Sequence, residues 1–183
     1  MSFYTKEELS EIGFKFIGEN VLISKKSSIY NAKNISIGDN TRIDDFCILS
    51  SGDGGIEIGK YVHIACYSSL IGKSKITMKD YSGISSRVSV YSSSDNYDGE
   101  WMTNPCLPNN VTNTIHKDVI IGKHVVVGSN SVVLPGVTLF DGCSIGAMSL
   151  VNKSVDGQYV MVGIPIKKIK DRKSNIFNLE NKI

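Results

Sequence analysis

The sequence predicts an all-β protein: a parallel β-helix with a short N-terminal helix, one long protruding loop and a C-terminal tail. Three observations carry this. Stepping by six from Ile121 gives Val127, Val133, Leu139, Ile145 and Val151, all aliphatic. The residues four further on are Val125, Ser131, Val137, Cys143, Ser149 and Val155, all small or β-branched. Glycine follows the aliphatic position at 122, 128 and 146. A period of six fits neither a helix of 3.6 residues per turn nor a strand alternating every second residue.

The pattern describes a coil with three flat faces, one hexad per face. One aliphatic side chain per face points into a narrow core, and a small residue sits where the chain turns. Glycine or asparagine at the turn supplies backbone freedom. Stacked coils then form parallel sheets. The same spacing recurs earlier, at Ile37–Ile43, Ile58–Ile64 and Met78–Ile84. Offsets at Ser51 to Gly55 and Gly72 to Lys75 predict bulged corners.

The segment 92–118 has no hexad phase. It contains Trp101, Pro105 and Pro108 and reads as a long loop, which in a compact domain usually carries function. Thr5-Lys6-Glu7-Glu8 is a capping-box pattern, predicting a helix over about 5–12. Pro165 is expected to end the last coil, with the tail 166–183 forming a short helix or strand and then fraying. One domain is expected over 1–183.

Hydrophobic residues make up 41% and charged residues 21%, with a net charge of +2. Neither a nucleic-acid partner nor membrane insertion is expected from such a balance. Lys167, Lys168, Lys170, Arg172 and Lys173 do crowd the tail, a local patch suited to an anion. Cys47, Cys66, Cys106 and Cys143 form no C-x-x-C pair, so a metal or redox site is not expected, and the three inside repeat-like segments read as small core or near-core residues. Residues 1–12 lack the apolar run of a signal peptide, and a cytoplasmic location is expected.

The segments Ile121-Gly122-Lys123-His124-Val125-Val126-Val127-Gly128, Ile145-Gly146-Ala147-Met148 and Val162-Gly163-Ile164-Pro165-Ile166-Lys167-Lys168 carry a resemblance. Over roughly residues 12–172 the chain resembles the hexapeptide-repeat acyltransferases, in the branch of galactoside and maltose O-acetyltransferases and nucleotide-amino-sugar N-acyltransferases. The last segment is similar to that family's closing Gly-x-Pro-Ala-Lys pattern, with Ile166 in place of alanine. The resemblance implies a left-handed coil, a homotrimer, and acetyl-CoA lying in a groove between subunits. It implies acyl transfer to a sugar or nucleotide-linked amino sugar for surface polysaccharide.

Acyl transfer needs a base, oxyanion donors and a site that holds thioester and nucleophile together. His63 stands at an outward strand-entry position and is the first candidate for the base, with packing on Tyr61 or Tyr67 as the bland alternative. His116 ends the loop and is a second candidate. His124 occupies a hexad turn and reads as structural or as a wall of the coenzyme groove. Galactoside-type relatives carry a catalytic histidine at the start of the protruding loop; here Asp95 stands about there. Asp95 then either orients His63, binds a sugar hydroxyl, or caps a turn. The missing loop histidine tilts the reading toward an amine acceptor, which needs a weaker base.

For coenzyme A the candidates are Gly128, Ser129, Gly146 and Ala147, where small residues admit pantetheine, and Lys167 and Lys168 for its phosphates. The bland alternatives are turn packing for the glycines and a solvated tail for the lysines. Trp101, Met102, Pro105 and Pro108 suit stacking on a sugar or base, or pinning the loop to a neighbour. Three other functions compete: O-acetylation of a galactoside hydroxyl, a γ-carbonic-anhydrase-like metal protein, and a scaffold without catalysis. His63, His116 and His124 lack the spacing of a three-histidine zinc site, so no metal ligands are expected.

Overall fold

The computed structural model describes residues 2–183. Helix Lys6–Ile12 opens the fold. The Glu8 amide donates to the Thr5 hydroxyl, and the Thr5 amide donates to the Glu8 carboxylate at 2.8 Å. This is the expected capping box, which satisfies two amides that a helix start leaves without partners. Leu9 is buried and lays the helix against the coils.

The chain then winds as a solenoid with three parallel sheets. The first face stacks Phe16–Ile17, Ile35–Ile37, Ile56–Ile58, Ile76–Met78, Val119–Ile121 and Thr138–Leu139. The second stacks Leu22–Ile23, Arg42–Ile43, His63–Ile64, Gly83–Ile84, Val126–Val127, Ser144–Ile145 and Tyr159–Val162. The third stacks Ser28–Tyr30, Ile48–Ser51, Ser69–Gly72, Ser89–Tyr91, Val132–Val133 and Leu150–Val151. Each coil adds one strand to every face, so a residue sits one coil above its counterpart about twenty positions earlier. The expected core is the observed one. Ile121, Val127, Val133, Leu139, Ile145 and Val151 are all buried, and so are Ile43, Ile64 and Ile84 below them. The offsets at Ser51 to Gly55 and Gly72 to Lys75 are corners between the third and first faces.

The corners hold a surprise. Asparagine holds left-handed backbone at one corner as expected, at Asn20 (φ 56°) and Asn40 (φ 55°), yet Tyr61 (φ 55°), Tyr81 (φ 59°) and His124 (φ 57°) adopt it there too. Phe46 (φ 61°), Tyr67 (φ 62°) and Arg87 (φ 61°) adopt it at the next. Such a conformation costs about 1–2 kcal/mol for a residue with a Cβ. Stacking offsets the cost. Tyr61 lies on Tyr81 at 5.2 Å, Tyr81 on His124 at 5.0 Å, and Phe46 on Tyr67 at 4.9 Å. Strands in neighbouring coils are about 4.8 Å apart, the spacing at which flat rings stack. The coil pitch itself thus turns strained corners into aromatic columns, and His124 is a member of one.

The loop leaves after Ser89–Tyr91 and returns before Val119–Ile121. Its base is zipped by Ser93–Ser94 paired antiparallel with Ile115–His116. The Ser93 hydroxyl lies 2.7 Å from His116 Nδ1.

The tail forms a strand and a short helix, as expected, but it docks where fraying was expected. Lys167–Asp171 pairs antiparallel with Tyr159–Val162 and extends the second sheet. Arg172 Nη1 reaches the carbonyls of His124 and Cys143 at 2.8 Å and of Gly142 at 3.2 Å. Gly142 takes the corner position above His124, and a Cβ there would strike Phe177. Phe177 meets the His124 ring edge-on at 5.0 Å, so a tail residue completes the aromatic column. Glu180 closes the arrangement on Lys123 and His124. Hydrogen bonds from Lys123 and then His124 hold its carboxyl below the usual range.

Candidate active site

The outward side chains of the second face form one column. In register they are Arg42, His63, Gly83, Val126 and Ser144. His63 alternates with buried Val62 and Ile64, so the strand that buries those two must turn the histidine outward. It is exposed but not isolated: Nε2 lies 2.9 Å from Asp44 Oδ2. Asp44 is 7% exposed and accepts from Arg42 Nε at 2.7 Å through its other oxygen. Burial opposes its charge, but the hydrogen bonds from Arg42 and His63 outweigh that and hold its carboxyl below the ordinary value. An ionised carboxylate can only accept, so His63 Nε2 carries the proton and donates. In the neutral ring Nδ1 then bears the lone pair.

A shallow concavity of about 370 Å³ lies beside this pair. His63 and Val126 wall it, Gly83 lies between them, and Ser85, Ser86 and Ser129 reach its edge. Gly128 and Gly146 follow the second-face strands Val126–Val127 and Ser144–Ile145, with Ser129 and Ala147 after them. A Cβ on Gly128 would strike the Ala147 backbone, and one on Gly146 would strike Val162. Coil packing therefore demands glycine at 128, whatever else it does, and favours it at 146. Lys167 and Lys168 begin the strand that extends this same sheet. Lys167 is exposed. Lys168 pairs with Asp171 at 2.7 Å and lies over the Tyr159 ring at 3.7 Å. Of the tail's basic patch, Arg172 is committed to backbone carbonyls.

Asp95 is elsewhere. It lines a more apolar pocket of about 680 Å³ under the loop, with Tyr91, Ser93, Tyr97, Leu134 and Pro135. Those neighbours belong to the third face and the loop. Within this chain Asp44, and not Asp95, holds His63, because Asp44 lies one coil below on the same face. Pro105 lines the loop pocket, whereas Trp101 and Met102 are exposed on the loop. His116 is engaged with Ser93 and His124 with Glu180 and the ring column. Cys47 and Cys143 are buried, and burial pushes their thiols up to about 11 and about 12, which suits inert core residues.

Asp44, Arg42 and Gly83 were not singled out from the sequence. The signal was present: adding one coil to Arg42 gives His63, and one more gives Gly83.

The family of bacterial transferase hexapeptide repeats (six repeats) matches residues 114–153. Over 181 residues the chain is 51% identical to the dTDP-4-amino-4,6-dideoxy-D-glucose acyltransferase of Escherichia coli, covering 99% of this chain and 94% of that protein. The chain belongs to the hexapeptide-repeat acyltransferases. Membership makes it an acyltransferase, as the repeat motifs implied. Its structure matches AntD, an N-acyltransferase from Bacillus cereus solved with dTDP and 3-hydroxybutyryl-CoA, with a TM-score of 0.95, 49% identity and coverage of 99% and 95% of the two chains. It is also 30% identical over 156 residues to the putative lipopolysaccharide biosynthesis O-acetyl transferase WbbJ of Escherichia coli K12, covering 81% of this chain and 74% of that one. Among the described residues no helix is long and apolar enough to cross a membrane.

Proposed function

We propose that this chain transfers an acyl group from coenzyme A to the 4-amino group of a dTDP-linked 4-amino-4,6-dideoxy sugar. The 51% identity over 99% of the chain to an acyltransferase of that name carries the reading. The pairing of dTDP with an acyl-CoA in the AntD complex supports it. Acetyl-CoA is the simplest donor, and surface polysaccharide is the destination that suits such a sugar.

His63 is the base. The amine attacks the thioester carbonyl, a C–N bond forms, and the tetrahedral oxyanion collapses with loss of the thiolate. His63 Nδ1 takes the ammonium proton, and the ionised Asp44 stabilises the imidazolium that results. The proton then passes to the departing sulfur. Gly128, Ser129, Gly146 and Ala147 border the donor's path along the second face, with Lys167 and Lys168 at its phosphate end. Asp95 holds the acceptor's amino group or a hydroxyl.

His63 and Asp95 lie on different faces of one narrow prism. A homotrimer brings the loop pocket of one subunit against the second face of the next and completes the site between them. We assign residues 1–183 to a single β-helix domain and the enzyme to the cytoplasm, where acyl-CoA and nucleotide sugars are made.

The test is thiol release from acyl-CoA with dTDP-4-amino-4,6-dideoxyglucose as acceptor. Turnover and an amide product are expected. Turnover only with hydroxyl sugars would replace the amine acceptor by an O-acyl one, and a strictly monomeric mass would remove the shared site.

A further inference from the structure

Gly83 is unusual among the 17 glycines. At the others either φ is positive or a Cβ would come closer than real side chains allow, to backbone at all but Gly146 and Gly157, where it meets the Val162 and Tyr159 side chains. At Gly83 φ is ordinary, and the nearest atom to an added Cβ is the His63 carbonyl oxygen at 3.5 Å, a normal contact. The fold accepts alanine here. Glycine inside a strand weakens it, so the missing side chain has a use other than packing.

Its place in the register suggests that use. Gly83 stands between His63 and Val126 in the outward column, with strands about 4.8 Å away on either side. Removing one side chain from such a column leaves a slot one side chain wide. Its ends are the His63 ring and the Val126 isopropyl group, with Gly83 between them. With a strand spacing of about 4.8 Å on either side, the gap has room for an extended alkyl chain. One wall is apolar, while His63 and Ser85 offer hydrogen bonds.

We propose that Gly83 is the acyl-specificity residue, and that the slot between His63 and Val126 receives the donor's acyl chain beside the base. The proposal rests on the acyl-transfer reading above. It predicts that this enzyme accepts donors longer than acetyl, and that the side chains at 83 and 126 set the limit.

The experiment measures kcat/KM for acetyl-, butyryl- and 3-hydroxybutyryl-CoA with dTDP-4-amino-4,6-dideoxyglucose, in the unsubstituted protein, Gly83→Ala and Val126→Ala. One methyl group in a close-fitting pocket changes selectivity by roughly 10-fold to 200-fold. Gly83→Ala is expected to lower the four-carbon to two-carbon ratio by about 10-fold or more at an unchanged melting midpoint. Val126→Ala, which widens the opposite wall, is expected to raise that ratio. The two variants move it in opposite directions, so general damage to the fold does not imitate the result. A parallel loss with all donors, an unchanged ratio in both variants, or strict use of acetyl-CoA by the unsubstituted protein would overturn the assignment alone. Absence of thiol release from every donor would overturn the functional reading beneath it.

Discussion

The second face around His63 and the loop over 92–118 each hold candidate chemistry, but they are built on different principles. On the face, every outward residue has a neighbour one coil above and one below, fixed by the ladder. Arg42, Asp44 and His63 meet because the register allows little else. In the loop there is no register. Its base is zipped by two short strands, and beyond them positions depend on turns such as Asn109–Val111 and on the isolated bridge from Met102 to Thr112. The face therefore offers preorganised groups, and the loop offers an adjustable wall. An acyltransferase can use the first for the invariant proton transfer and the second for the acceptor.

Four substitutions test that division. His63→Ala should cause the largest loss, a fall in kcat of about 100-fold to 10,000-fold with little change in melting midpoint, since a positioned base contributes that much. Near-full activity would remove His63 from the mechanism. Asp95→Asn should reduce turnover less, mainly through KM for the sugar nucleotide; a kcat loss as large as that of His63→Ala would move the proton transfer into the loop.

Asp44→Asn should lower kcat by less than His63→Ala does and shift its pH profile, because an amide no longer stabilises the imidazolium. The same residue makes a stability prediction. Its folded carboxyl lies below its unfolded value, so its contribution is complete above about pH 4 and fades as the pH falls through the folded value. Acid unfolding of Asp44→Asn should lose that component, which paired titrations of the two proteins would reveal. The smallest effect should come from Phe177→Ala. Loss of its edge contact with His124 costs about 0.5–1.5 kcal/mol. Its melting midpoint should fall by a few degrees, about 2–4 °C per kcal/mol for a chain of this size, with catalysis unchanged.

Much of the face was legible beforehand because the hexad period names its buried residues directly. Ile121, Val127 and Ile145 were assigned to the core and are buried, and the outward setting of His63 followed from its buried neighbours. Thr5 and Glu8 announced the first helix by local capping alone. Other features needed long-range distances. The coil is about twenty residues long, so Asp44 is far from His63 in sequence although its carboxylate is 2.9 Å from the ring. Tyr61, Tyr81 and His124 look like isolated turn residues until the coils stack them. The docking of the tail was not legible, because the partners of Arg172, Phe177 and Glu180 are Gly142, His124 and Lys123, all outside the tail segment.

By itself, then, the sequence determined the repeat, the inward aliphatic column, the capped first helix, the break at the loop and the acyltransferase kinship. Each is written in spacing shorter than one coil or in contiguous motifs. Only the tertiary structure decided which carboxylate holds His63, which glycine is spared by packing, and where the tail lies. Those depend on the register between coils, where contacts form between residues that chain order leaves far apart.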